Sequence, residues 1–173
     1  MNQYRKGPGA GGSPPSRPGA RDGQPPRSGR QEQDAAIDLS RVCFATAEGQ
    51  PLDADLFSVI AEQWAKRVGL EEGGRQRNEN KPSQLRKFYD ELVMWDERVR
   101  VEPQKFAEFL PFIRMLNAKV AYAKGRKLVD ENYEKLVNHC MAQVQVTDPK
   151  TLHHCKTFFE AFMGYYKVVR PRD

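Results

Sequence analysis

The sequence predicts an all-α fold, a compact bundle of about five helices preceded by a disordered tail. Three observations carry this reading. Beyond residue 52, apolar residues recur at spacings of three and four over five successive stretches. No sustained run alternates apolar and polar residues around a hairpin signal, which removes the usual argument for strands. The first thirty residues hold seven Gly and six Pro with Tyr4 as their one aromatic, a composition that cannot bury enough apolar surface to offset the entropy of ordering it. The chain therefore divides into a Gly/Pro/Arg-rich disordered tail over 1–36 and a helical domain over 37–173, a length that suits one core.

The elements follow in order. Leu56, Ile60, Trp64 and Val68 place a first helix over about 53–68, with Asp53 or Asp55 to cap it and Gly69 to end it. Residues 71–81 contain Gly73 and Gly74 and no apolar residue, so they read as an exposed loop carrying Arg75, Arg77 and Lys81. Leu85, Phe88, Tyr89, Leu92, Val93 and Val99 stripe a second helix over 83–99. Pro103 suits the first turn of a third, striped by Phe106, Phe109, Leu110, Ile113, Leu116 and Val120, and Pro111 inside it predicts a kink or a break after Phe109. Leu128 to Val144 gives the fourth helix. The fifth starts from Asp148 as cap and Pro149 in the first turn, and continues through Leu152, Cys155, Phe158, Phe159, Phe162 and Tyr166.

The charge balance excludes more than it proposes. The chain has 28 Lys plus Arg against 23 Asp plus Glu. The tail holds six of the cations and three of the acids, so the folded part is close to neutral and its bulk charge is no argument for nucleic acid. No stretch approaches the roughly 20 apolar residues of a membrane helix, and the first thirty residues lack the apolar core of a secretory signal, so a cytoplasmic protein without membrane contact is expected. The sequence contains no phosphate-binding, dinucleotide, nucleophile-elbow or HExxH motif and three histidines, which argues against an enzyme and against a cofactor. The adjacent carboxylates Asp90/Glu91 and Asp96/Glu97 point about 100° apart on a helix and read as solvated. Cys43, Cys140 and Cys155 are odd in number and read as reduced thiols. His139 beside Cys140, and His153 and His154 beside Cys155, invite a zinc site, but both cysteines fall on apolar stripes and no pair has CxxC or HxxxH spacing.

One stretch departs from the alternation of signs elsewhere. Residues 109–129 contain Arg114, Lys119, Lys124, Arg126 and Lys127 and no acid. On a helix with Ile113 at the centre of its buried stripe, Lys119, Tyr122 and Arg126 fall together on the far side, two cations about one aromatic. Such a face can hold phosphates and present a ring for stacking, with Gly125 permitting close backbone approach; an ordinary solvated face is the plainer reading of the same residues. Phe112 and Met115 leave the same helix apolar on a second side, which suits self-association or docking on a partner.

Three segments in this order carry a resemblance. Pro82-Ser83-Gln84-Leu85-Arg86-Lys87-Phe88-Tyr89, Phe112-Ile113-Arg114 through Lys119-Val120-Ala121-Tyr122-Ala123-Lys124-Gly125-Arg126, and Phe158-Phe159-Glu160-Ala161-Phe162-Met163-Gly164-Tyr165-Tyr166-Lys167 resemble the small subunit of type III-A CRISPR effector (Csm) complexes. The likeness spans about 53–170 and leaves residues 1–36 without a counterpart. It implies an all-helical, non-catalytic, RNA-binding subunit whose copies stack along the crRNA-bearing filament and contact the crRNA and target RNA backbone. Its partners would be the backbone subunit, the large polymerase-like subunit and copies of itself. The resemblance puts Arg86 and Lys87 on the RNA-facing side together with Lys119, Tyr122 and Arg126, flanked by Lys81, Lys124 and Lys127. A helical protein–protein adaptor using Phe112, Met115 and the C-terminal aromatics, with no RNA contact, is the alternative.

Overall fold

The computed structural model describes residues 38–45 and 51–171, which lie in one unit, Ala36–Asp173. The tail expected over 1–36 lies outside the described residues. Among these residues the fold is all-α, with five α-helices: α1 Ala61–Gly69, α2 Pro82–Val101, α3 Phe106–Gly125, α4 Glu131–Ala142 and α5 Lys150–Val169. Two isolated β-bridges, Leu70 to Gln76 and Gln145 to Asp148, close turns without forming a strand.

The helix starts differ from expectation in instructive ways. A π-turn, Leu56–Ile60, leads into α1 with Asp55 at its N-cap and no side-chain cap bond, and Asp53 Oδ1 accepts from Asp55 N at 2.9 Å in the turn before it. Asp130 begins α4 two residues later than the apolar pattern suggests, its Oδ1 accepting from Tyr133 N at 2.9 Å. Helix α5 starts one residue later than expected, with Pro149 and not Asp148 at its N-cap, while Asp148 Oδ1 accepts from Lys150 N at 3.1 Å from just before it. Pro111 does not break α3, which runs unbroken through it. Lying early in the helix and exposed, the proline removes one backbone hydrogen bond at a place where the ring meets little.

Helix α5 supplies the centre of the core. Phe158, Phe159, Phe162 and Tyr166 are all buried. Tyr133 of α4 meets Phe88 of α2 at 5.8 Å and Phe159 and Phe162 of α5 at 6.4 and 6.3 Å, so three helices share one aromatic cluster. Gly69 ends α1 for a steric reason: a Cβ there would stand 2.7 Å from Val169 Cγ1 and 3.2 Å from Tyr166 Cε2, so its bare backbone lets α1 and α5 approach. Helices α2 and α3 run antiparallel, joined by the Pro103–Lys105 turn and matched along their length by Trp95 with Phe109 and Phe112, and by Glu91 with Lys119.

Val42 and Phe44 are fully buried while Cys43 between them is exposed, so this segment lays alternate side chains into the bundle. Its backbone is held by α4 and α5. His139 Nε2 and Gln143 Nε2 both donate to the Val42 carbonyl, at 2.8 and 2.7 Å. Phe44 N donates to Gln143 Oε1 at 2.8 Å, and His154 Nδ1 donates to the Phe44 carbonyl at 3.1 Å. Of the histidines that invited a zinc reading, His139 and His154 thus bind backbone and His153 faces Asp96, while Cys140 and Cys155 sit in the core where burial raises the Cys140 thiol well above its ordinary value.

The 71–81 loop is not wholly exposed, because Asn80 is fully buried with φ 57°. Asn80 Nδ2 donates to the Val68 carbonyl at 2.8 Å, and its Oδ1 accepts from Asp130 N at 2.8 Å. Its backbone N donates to Leu128 O at 2.9 Å, and its carbonyl accepts from Tyr166 Oη at 2.6 Å and Arg170 Nη1 at 3.1 Å. Asn80→Ala loses two buried side-chain bonds and meets the left-handed penalty, and should lower stability by about 3 kcal/mol or more; Asn80→Gly loses only the bonds and should cost about 2 kcal/mol. Urea unfolding checks the order. Equal costs would show that backbone conformation plays no part.

Burial pushes the Tyr166 hydroxyl up to about 12, and the fully buried Tyr133 is raised as well. The unfolded chain releases these protons near pH 10, whereas the folded chain holds that of Tyr166 until about 12. The Tyr166 contribution is therefore complete below pH 10 and is lost as pH rises toward 12. The melting temperature should fall across that window, and Tyr166→Phe should make the fall shallower.

Candidate nucleic-acid interface

The Lys119–Glu91 pair fixes the geometry of the candidate face. Lys119 Nζ donates to both Glu91 oxygens, at 2.7 and 2.8 Å, so these two residues lie on the same side of the α2/α3 hairpin. Lys87 precedes Glu91 by four residues on α2, and Tyr122 and Arg126 follow Lys119 by three and seven on α3; helical period puts all of them on that side. Tyr122 is 67% exposed, and Arg126 Cζ lies 5.7 Å from its ring centroid. The bond from Asn80 N to Leu128 O brings Lys81 and Lys127 to the same end of the hairpin. Among the described residues, Lys87, Lys119 and Arg126 thus share this face with Tyr122 and Glu91, and Lys81 and Lys127 stand at its end.

The eight residues singled out by resemblance do not all join it. Arg86 turns the other way, bonded to Asp90 at 2.6 Å and lying 5.2 Å from the Tyr89 ring. Tyr89 is raised by burial and by Glu160 of α5, which puts Arg86 toward α5. Lys124 faces α4 and bonds Glu134, and that hydrogen bond raises its ammonium above the ordinary value. Lys87, Arg126, Lys127 and Lys81 are exposed and have no carboxylate partner among the described residues.

The expectation of five uncompensated cations over 109–129 is corrected by the fold. Glu91 of α2 neutralises Lys119, Glu134 of α4 neutralises Lys124, and Arg114 donates to the Val144 carbonyl at 3.2 Å. The acids absent from the stretch arrive from neighbouring helices. Glu91 and Asp96, read as solvated, are only 18% and 16% exposed, the second facing His153 at 3.2 Å. Sequence reading missed Glu91 and Glu134 as members of the site, since no local pattern relates them to cations 28 and 10 positions away.

Two backbone features mark the end of α3. Leu128 N bonds Ala123 O at 2.9 Å and Lys127 N bonds Lys124 O at 2.8 Å, a Schellman closure with Lys127 at the left-handed position, φ 58°. Glycine would be easier there, so the lysine side chain is carried at a conformational cost of about 1 kcal/mol. Gly125 has the opposite character: a Cβ would meet nothing within 4 Å, so internal packing does not require glycine at this exposed helical position. Lys127→Gly and Gly125→Ala should each raise stability by about 0.5–1 kcal/mol in urea unfolding.

Among the described residues no three His, Cys, Asp or Glu side chains gather as a metal site, and no helix is long and apolar enough to cross a membrane. At the far end of the hairpin Phe112 and Met115 are about half exposed, with Phe112 stacked on Trp95 at 6.3 Å and 17°.

A family model described as Csm2 Type III-A matches residues 53–172, a span that takes in α1 to α5 and every residue of the face. A search of curated proteins and a search of solved structures each found no match. With that match extending over well more than half of the chain, the protein belongs to the Csm2 type III-A family and is a small subunit of a type III-A CRISPR Csm complex.

Proposed function

We propose that this subunit binds RNA without catalysis, its copies stacking along the crRNA filament with the α2/α3 face against the crRNA and target RNA backbone. The observation that carries the proposal is the group of exposed cations without carboxylate partners, Lys87, Arg126 and Lys127, set about the exposed Tyr122. Lys81 flanks them, and Lys119 stands among them in its pair with Glu91. Cations at this spacing suit phosphates, and the tyrosine ring suits a ribose or a splayed base. Cations and an aromatic ring of this kind suit backbone and shape, and in this reading sequence is left to base pairing. Arg86 and Lys124 have their charge engaged by Asp90 and Glu134 and contribute secondarily. The backbone subunit, the large polymerase-like subunit and further copies are the protein partners in this reading.

Lys87→Ala, Arg126→Ala and Lys127→Ala combined remove three exposed charges that have no carboxylate partner among the described residues, Arg126 meeting only the exposed Tyr122 ring, so binding changes separate from folding changes. The triple variant should keep its melting temperature, lose RNA affinity, and lower the log–log salt slope by about 0.7 per lost single-strand phosphate contact. Unchanged affinity and slope would sink the assignment.

The exposed Phe112 and Met115 favour a second reading, a helical adaptor with no RNA contact. Copurification from the native host separates the two. Small RNA of uniform length, lost with the triple variant, supports RNA binding; protein partners alone support the adaptor.

A further inference from the structure

Among the described residues, Glu91 is the carboxylate paired with a cation of the candidate face, and its placement differs from that of a solvated acid. Its side chain is 18% exposed against 47% for Lys119. Both oxygens accept from Lys119 Nζ, and the acid lies one turn along α2 from Lys87. An ammonium has three N–H donors, so two contacts with Glu91 leave Lys119 little to offer another anion. A phosphate arriving at Lys119 meets donors already engaged and a negative charge beside them. Arg126 and Lys127 on the same face have no such acid.

Resting on the RNA-backbone reading above, we infer that Glu91 is an internal competitor for RNA: it occupies Lys119 in the free subunit, and a phosphate reaches Lys119 only by displacing it. A single copy then meets RNA through Lys87, Arg126 and Lys127, with Lys119 held in reserve. When copies are aligned along one RNA, the phosphate opposite each Lys119 is presented at high effective concentration and the exchange becomes favourable. Glu91 therefore weakens binding to stray RNA more than binding in an assembled array, which is a form of specificity built from a repulsive element.

The test uses the full chain and a fluorescent oligouridylate of about 20 nucleotides, long enough for several phosphate contacts, titrated at several salt concentrations. Glu91→Gln should tighten binding about two- to fivefold, the scale of a partly exposed ion pair, and steepen the log–log salt slope by about 0.7, one added single-strand phosphate contact. Glu91→Met, of similar size and without charge, should give the same gain, which guards against a folding defect peculiar to one variant. Glu97→Gln makes the same change in net charge toward the far end of the hairpin, beside Met94 and Phe109, and should leave binding within twofold. In a Lys119→Met background, Glu91→Gln should add nothing. Unchanged or weaker binding for both Glu91 variants overturns the inference, as does an equal gain from Glu97→Gln or a gain that survives without Lys119. Loss of binding on removal of Lys87, Arg126 and Lys127 together is read separately, so failure of the RNA reading is distinguished from failure of this one.

Discussion

Asn80 sits at the point where four helices are tied together. Its two side-chain bonds reach the last turn of α1 and the cap residue of α4, and its backbone bonds reach the connection after α3 and the last turn of α5. Residue 81 then opens α2. A single buried side chain thus serves helix ends that would otherwise leave donors and acceptors unpaired in the interior. The left-handed backbone at this position favours Asn or Gly, and the need to donate to one carbonyl while accepting from one amide leaves Asn. Tyr166 and Arg170 complete the knot from α5, so its integrity also depends on the far end of the sequence.

This knot sets the functional end of the molecule. By bonding Asn80 to Leu128 it draws the start of α2 against the end of α3, and so collects Lys81, Arg126 and Lys127. The Lys119–Glu91 pair orders the hairpin further along, and the Trp95, Phe109 and Phe112 rings close its other end. Charge is arranged by the same packing. Interhelical carboxylates engage the two α3 lysines nearest the neighbouring helices, while the cations beyond their reach stay available. The strained lysine after α3 and the unpacked glycine before it lie together at this end, places where local stability has not been maximised.

The histidines show how one residue pattern serves two chemistries. His139 and His154 stand beside buried cysteines in sequence, which resembles half a metal site, but a helix points adjacent residues about 100° apart. The thiols turn into the core, and the imidazoles turn to the carbonyls of Val42 and Phe44. The backbone of an extended segment needs partners once its side chains are buried, and imidazole and amide side chains provide them.

By itself the sequence determined the helices, because each buries an apolar stripe whose period survives in the order of residues: the Phe158, Phe162 and Tyr166 stripe of α5 and the Ile113, Leu116 and Val120 stripe of α3 both read directly. It also determined that Lys119, Tyr122 and Arg126 share a side, since that follows from helical rise alone. Tertiary structure decided everything that depends on which helix lies beside which. The acid-free stretch gained its carboxylates from α2 and α4, Arg86 was turned toward α5 and away from Lys87, and a loop with no apolar residue buried Asn80. Coulomb and hydrogen-bond partners act across a few ångströms of space, whereas sequence patterns report only neighbours within a turn or two of the same helix.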